Sequence, residues 1–215
     1  GINAEYGDML GLLSLQTHGF DLSYYQGDVS QDTMNCLSNN GMNFAIFQAQ
    51  IGSTVSPYAV TDYHRAKAAG INYVDFYVFP TMSKDPRYQA RETISYLRDQ
   101  GVLNGNMVWL DIENHDLFYA SCGDNQWFVS EWLDEAANQM PNGRKGVGIY
   151  SNWVQWNDIM CGWTGASSYD LWYPHYDNWE SFGDFQPFGG WYNPNIKQYA
   201  GDLYMCSTAL DKNFY

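Results

Sequence analysis

Charge is scarce in this chain, and positive charge scarcest of all: charged residues make up 16% of the 215, with ten Lys and Arg against 24 Asp and Glu. A formal charge of −14 without a basic cluster leaves too few cations to neutralise a run of phosphates, which excludes nucleic acid as a partner. No stretch approaches the roughly 20 apolar residues of a membrane-spanning helix, and no membrane association is expected. Cysteine is limited to Cys36, Cys122, Cys161 and Cys206, with no C-x-x-C pair to suggest a zinc ribbon. The histidines His18, His64, His115 and His175 form neither an H-E-x-x-H nor a triad spacing, and no serine sits in a G-x-S-x-G elbow. Zinc-protease and serine-hydrolase chemistries are thereby set aside. Asn-linked glycosylation sequons are also missing.

Aromatic residues, by contrast, reach 18% within a hydrophobic fraction of 45%, a composition of one globular domain with either a ring-lined groove or an aromatic-rich core. An even number of well-separated cysteines points to two disulfides formed in an oxidising compartment, with three pairings open. The opening "GINAEYGDMLGLLSLQ" has neither a charged n-region nor a long apolar h-region, so residues 1–17 read as a leader on a mature chain rather than a signal peptide. Carboxylate self-repulsion at neutral pH is relieved by protonation. Together these features point to a secreted protein, or one in a lysosome- or phagosome-like vesicle.

From residue 18 onward, apolar β-like runs alternate with helix-like segments about every 30 residues, the rhythm of βα units around a parallel sheet. Strands are expected at 18–25, 43–52, 71–80, 107–113 and 146–152. Helices are expected near 30–39, 57–69, 86–100, 125–140 and 153–160. Strands at 170–176, 196–201 and 207–215 follow without room for helices between the last of them. Five βα units and three further strands make eight, enough to close a modified TIM-like α/β barrel over residues 18–215. An open doubly wound sheet would carry a Gly-rich phosphate loop after its first strand, where "FDLSYYQGD" stands instead.

Carboxylates fall where such a barrel keeps its active site. Asp21 lies in the first strand, Asp111 and Glu113 close the fourth in "MVWLDIE", and Asp211 lies in the last. Side chains two apart on a strand project together, about 6.6 Å apart along the backbone. Two carboxylates so close in a desolvated site resist joint ionisation, which creates a proton donor beside a carboxylate, the pair that glycoside hydrolysis uses. The competing readings are a D-x-E that merely caps a loop and a magnesium or calcium site; the assignment carries no metal and no cofactor.

The ordered stretches "HGFDLSYYQGDV", "VWLDIE", "GVGIYSN", "LWYPHY", "IKQYAGD" and "ALDKNFY" resemble family 25 glycoside hydrolases, the Chalaropsis-type lysozymes, over residues 18–215. That resemblance implies cleavage of the β-1,4 bond between N-acetylmuramic acid and N-acetylglucosamine in bacterial peptidoglycan by a monomer. It makes Glu113 the general acid, Asp111 its partner, and Asp21 and Asp211 the outer aspartates. The chain departs from the family at "QAQIG", where Gln48 and Ile51 stand in place of an expected Lys and Glu. Tyr77, Tyr150, Trp172 and Gln198, near strand ends, are the expected substrate contacts, through stacking and amide hydrogen bonds.

Two rivals remain. A family 18 chitinase also ends its fourth strand in D-x-E, but its fuller pattern requires aspartates where Asn106 and Trp109 stand. A non-catalytic carbohydrate-binding barrel would have no use for a paired proton donor and base.

Overall fold

A computed structural model describes residues 16–118 and 120–215. The expected leader, residues 1–17, falls outside it except for Gln16 and Thr17. The latter exchanges backbone hydrogen bonds with Tyr215 at 2.9 and 3.0 Å.

The βα rhythm is realised by β1 (His18–Leu22), α1 (Gln31–Asn39), β2 (Phe44–Ile51), a two-residue β3 (Thr54–Val55), α2 (Ala59–Ala68), β4 (Tyr73–Phe79), α3 (Pro86–Asp99), β5 (Val108–Asp111), α4 (Cys122–Gln139), β6 (Val147–Tyr150) and α5 (Trp153–Met160). Then come β7 (Asp170–Pro174), β8 (Ile196–Met205) and β9 (Thr208–Phe214). The sheet order β1-β9-β8-β7-β6-β5-β4-β2 closes through β1–β2 pairing, while β3 pairs only with β2. The result is the expected eight-stranded α/β barrel.

Helix starts follow local capping chemistry. Ser30, Asp85, Ser121 and Asn152 accept hydrogen bonds from the first-turn amides of α1, α3, α4 and α5. The Ser121 cap begins α4 three residues before the expected position.

The parallel run of the βα units does not extend to the last strand. Strand β9 runs antiparallel to both neighbours, β8 and β1. Only Cys206 and Ser207 link β8 to β9, both with left-handed φ values of 52° and 65°. Such a two-residue link makes a tight hairpin, whereas a parallel return needs a dozen or more residues. Strand β8 consequently runs on to Met205, beyond the expected end at residue 201.

Alternation along each strand sorts the core into two shells. Outward residues such as Phe20, Phe47, Phe76, Leu110 and Ile149 pack beneath the helices. Inward residues Phe44, Ile46, Tyr77, Trp109, Tyr150, Trp172 and Ile196 fill the barrel. Gly148 makes room for this filling, because a Cβ there would meet the Trp109 ring at 2.4 Å. Two disulfides, Cys36–Cys206 and Cys122–Cys161, settle the pairing. The first ties α1 to the β8–β9 hairpin and the second ties the start of α4 to the end of α5.

Candidate active site

The inward positions change chemistry toward the mouth. On β5, Trp109 is followed two and four residues later by Asp111 and Glu113; on β8, Ile196 is followed by Gln198. Glu113 lies just past the strand, which ends at Asp111 rather than at residue 113. Asp21 and Asp211 are directly paired across β1 and β9. Because β9 descends, Asp211 reaches the mouth from the middle of its strand rather than from a C-terminal end.

A cavity of about 300 Å³ at the mouth is lined by all eight sequence-predicted site residues: Asp21, Asp111, Glu113, Asp211, Tyr77, Tyr150, Trp172 and Gln198. A second cavity, of about 480 Å³, shares Tyr77, Asp111 and Glu113 with it. The Asp111–Glu113 pair thus stands where two cavities meet, so a chain-like ligand can extend to either side of it.

Burial raises all four acids above the ordinary carboxyl range. Asp111 is pushed well up by desolvation and then by the neighbouring Glu113. Desolvation also raises Glu113, which is hydrogen-bonded to Asp111. Asp111 Oδ1 is buried without a hydrogen-bond partner. Desolvation likewise raises Asp21 and Asp211, with Asp211 adding repulsion on Asp21.

An amide network fixes the outer aspartates. Gln198 Nε2 donates to Asp21 Oδ2 at 2.7 Å and to Asp211 Oδ2 at 3.2 Å. Its Oε1 accepts from the hydroxyls of Tyr150 at 2.6 Å and Tyr176 at 3.0 Å. All of its hydrogen-bonding capacity is engaged within the protein. Asn213 Nδ2 donates to Asp21 Oδ2 at 2.8 Å, and its Oδ1 accepts from Trp172 Nε1 at 2.7 Å. The Asp202 amide donates to Asp211 Oδ1 at 2.9 Å. Trp172 is only 2% exposed, which leaves little of its ring to the cavity. Tyr77 and Tyr150 are similarly sunk, whereas Tyr176 is 51% exposed at the rim.

Tyr176, Asn213 and Asp202 are site residues that the sequence patterns did not single out. A usable signal existed for Asn213, which lies two residues beyond Asp211 on the same strand face. Gln48 Oε1 accepts from the Tyr24 amide at 2.8 Å and the Tyr77 hydroxyl at 3.1 Å, which engages it internally. His175, Asp177 and Asp184 form a separate cluster whose carboxylates hold the buried Lys197 ammonium at 2.9 and 2.8 Å.

A closed α/β barrel with paired, burial-raised carboxyls between two mouth cavities defines a glycoside hydrolase. The family described as Lysozyme-like protein 1 matches residues 16–199. "Probable GH family 25 lysozyme 5" of Dictyostelium discoideum is 35% identical over 96% of this chain and 98% of its own length. The lysozyme of Streptomyces coelicolor superposes with a TM-score of 0.73 at 20% identity, covering 92% of this chain and 90% of that one. A family GH25 lysozyme from Aspergillus fumigatus does so with 0.71 at 18% identity, covering 93% of each. The chain belongs to glycoside hydrolase family 25, the lysozymes.

Proposed function

We propose that this protein is a muramidase that hydrolyses the β-1,4 bond between N-acetylmuramic acid and N-acetylglucosamine in bacterial peptidoglycan. The observation that carries this reading is the Asp111–Glu113 pair at the junction of two mouth cavities, both carboxyls raised by burial. Family membership supports the same conclusion.

Glu113, the less buried of the two, protonates the leaving glycosidic oxygen. Asp111, left ionised as that proton is transferred, stabilises the positive charge that develops at the sugar. Asp21 and Asp211 flank the reacting ring, oriented by Gln198 and Asn213. Gln198 therefore acts on substrate through the aspartates it holds. Tyr77, Tyr150 and Trp172 shape the walls that receive the sugars, and the chain works as a monomer.

The general acid must be protonated, so the rate falls as pH rises through its elevated pKa. Together with two disulfides, this fits an enzyme secreted into, or held in, an acidic digestive compartment. In the test, Glu113→Gln lowers the rate of wall clearing by at least about 100-fold while wall binding persists. Equal clearing by variant and wild type would sink the assignment.

A further inference from the structure

Five carboxylates, Asp21, Asp111, Glu113, Asp202 and Asp211, line the central cavity, and no Lys, Arg or His joins them. The adjoining cavity adds Asp116 and again no cation. Each of the four central acids is raised, and every charged neighbour acting on them is another acid. The tyrosines facing them, Tyr77, Tyr150 and Tyr176, are themselves raised and stay neutral.

The lysines on neighbouring elements are engaged or turned away. Lys197 is fully buried against Asp177, Asp184 and the carbonyls of Trp179 and Ser181. Lys84 pairs with Glu92 and lies over the Tyr88 ring. Lys212 alternates with the inward Asp211 and Asn213, which directs it out of the barrel. Gln48, which lines the adjoining cavity, is uncharged and held by Tyr24 and Tyr77.

A muramic acid unit carries a lactyl carboxyl. Stripped of its peptide, that carboxyl is an anion above about pH 4; linked to a stem peptide it is a neutral amide. We infer that this mouth selects muramyl units whose lactyl carboxyl is masked as an amide, and that the adjoining cavity receives the first residue of the stem. That cavity, walled by Tyr25, Ile51, Phe79 and Met82, offers apolar contact and no counter-ion. The preferred substrate is peptide-bearing peptidoglycan, and denuded glycan strands are rejected. This inference rests on the muramidase reading given above.

The test uses two soluble tetrasaccharides of alternating N-acetylglucosamine and N-acetylmuramic acid, one with free lactyl carboxyls and one with each capped as alanine amide. At pH 6.5 and low salt, kcat/KM is at least about tenfold higher for the capped form, and the gap closes below about pH 4 as the free carboxyl protonates. Ile51→Lys, with folding checked by circular dichroism, narrows the gap at pH 6.5 by improving cleavage of the free-acid form. Equal rates at pH 6.5, or a gap unchanged by pH, would overturn the selection while leaving the muramidase reading intact. An unaltered ratio in Ile51→Lys would overturn the assignment of the adjoining cavity. Cleavage of neither compound would defeat the muramidase reading and this inference with it.

Discussion

Asn213 shows how much of the site depends on a residue that touches no sugar. It is fully buried, and it satisfies Asp21 with one end and the Trp172 indole with the other. Asn213→Ala leaves both without that partner, at a cost of about 1–3 kcal/mol of stability. Its hydrogen bond also opposes the upward shift of Asp21, so the variant holds the Asp21 proton to higher pH. The expected outcome is a kcat lowered by roughly 10- to 100-fold with KM nearly unchanged and a displaced pH profile. A raised KM at constant kcat would instead mark a direct substrate contact. The four acids were legible because carboxylates at the ends of apolar strands are conspicuous. Asn213 was not, since an amide within a strand looks the same whether it faces solvent or holds a buried acid.

At the scale of elements, the β8–β9 hairpin is the part most exposed to perturbation. It extends past the barrel through the pairs Leu203–Leu210, Tyr204–Ala209 and Met205–Thr208, and it carries the Asp202 amide that holds Asp211. Cys36–Cys206 and the Thr33 hydroxyl bond to the Cys206 carbonyl, 2.9 Å long, moor its tip to α1. Replacing Cys36 and Cys206 by Ser releases a loop closure spanning 170 residues, worth up to about 5 kcal/mol in the chain-entropy picture. On heating, activity of the double variant should decay below its circular-dichroism midpoint; coincident loss would mean the hairpin does not loosen separately. Apolar periodicity located the eight barrel strands and the five helices. It could not give the direction of β9, because alternation reads the same upward and downward, and the Cys206-Ser207 link lacks the Asn-Gly signature of a tight turn. Nor did "IKQYAG" disclose that Lys197 is buried, since lysine is normally exposed and its partners lie 13 and 20 residues away in sequence.

Across the whole molecule, the groups that make the mouth chemically competent also set how folding responds to pH. Asp21, Asp111, Glu113 and Asp211 are all raised by burial. Away from the mouth, burial pushes Asp62 up to about 7 and Asp75 up to about 6. A carboxyl with a raised folded-state pKa binds its proton more tightly when native than when unfolded. The native state is therefore favoured at low pH, and stability declines as pH rises from about 4 through these elevated values. Each carboxyl contributes up to about 1.4 kcal/mol to that decline for every tenfold by which folding tightens its hold on the proton. The −14 formal charge acts in the same direction, because ionisation adds self-repulsion. Ion-paired Asp177 and Asp184, beside Lys197, are held below the ordinary range, so their contribution is lost only as pH falls below about 4. The two sets bracket a stability maximum near pH 4–5. Urea midpoints at fixed ionic strength should accordingly be higher at pH 4.5 than at pH 7.5, and the reverse order would contradict the burial assigned to these carboxyls. Glu113→Gln removes one of the raised groups, so the same titration should show a smaller loss between those pH values in the variant than in the wild type, tying the acid needed for cleavage to the cost of keeping it buried.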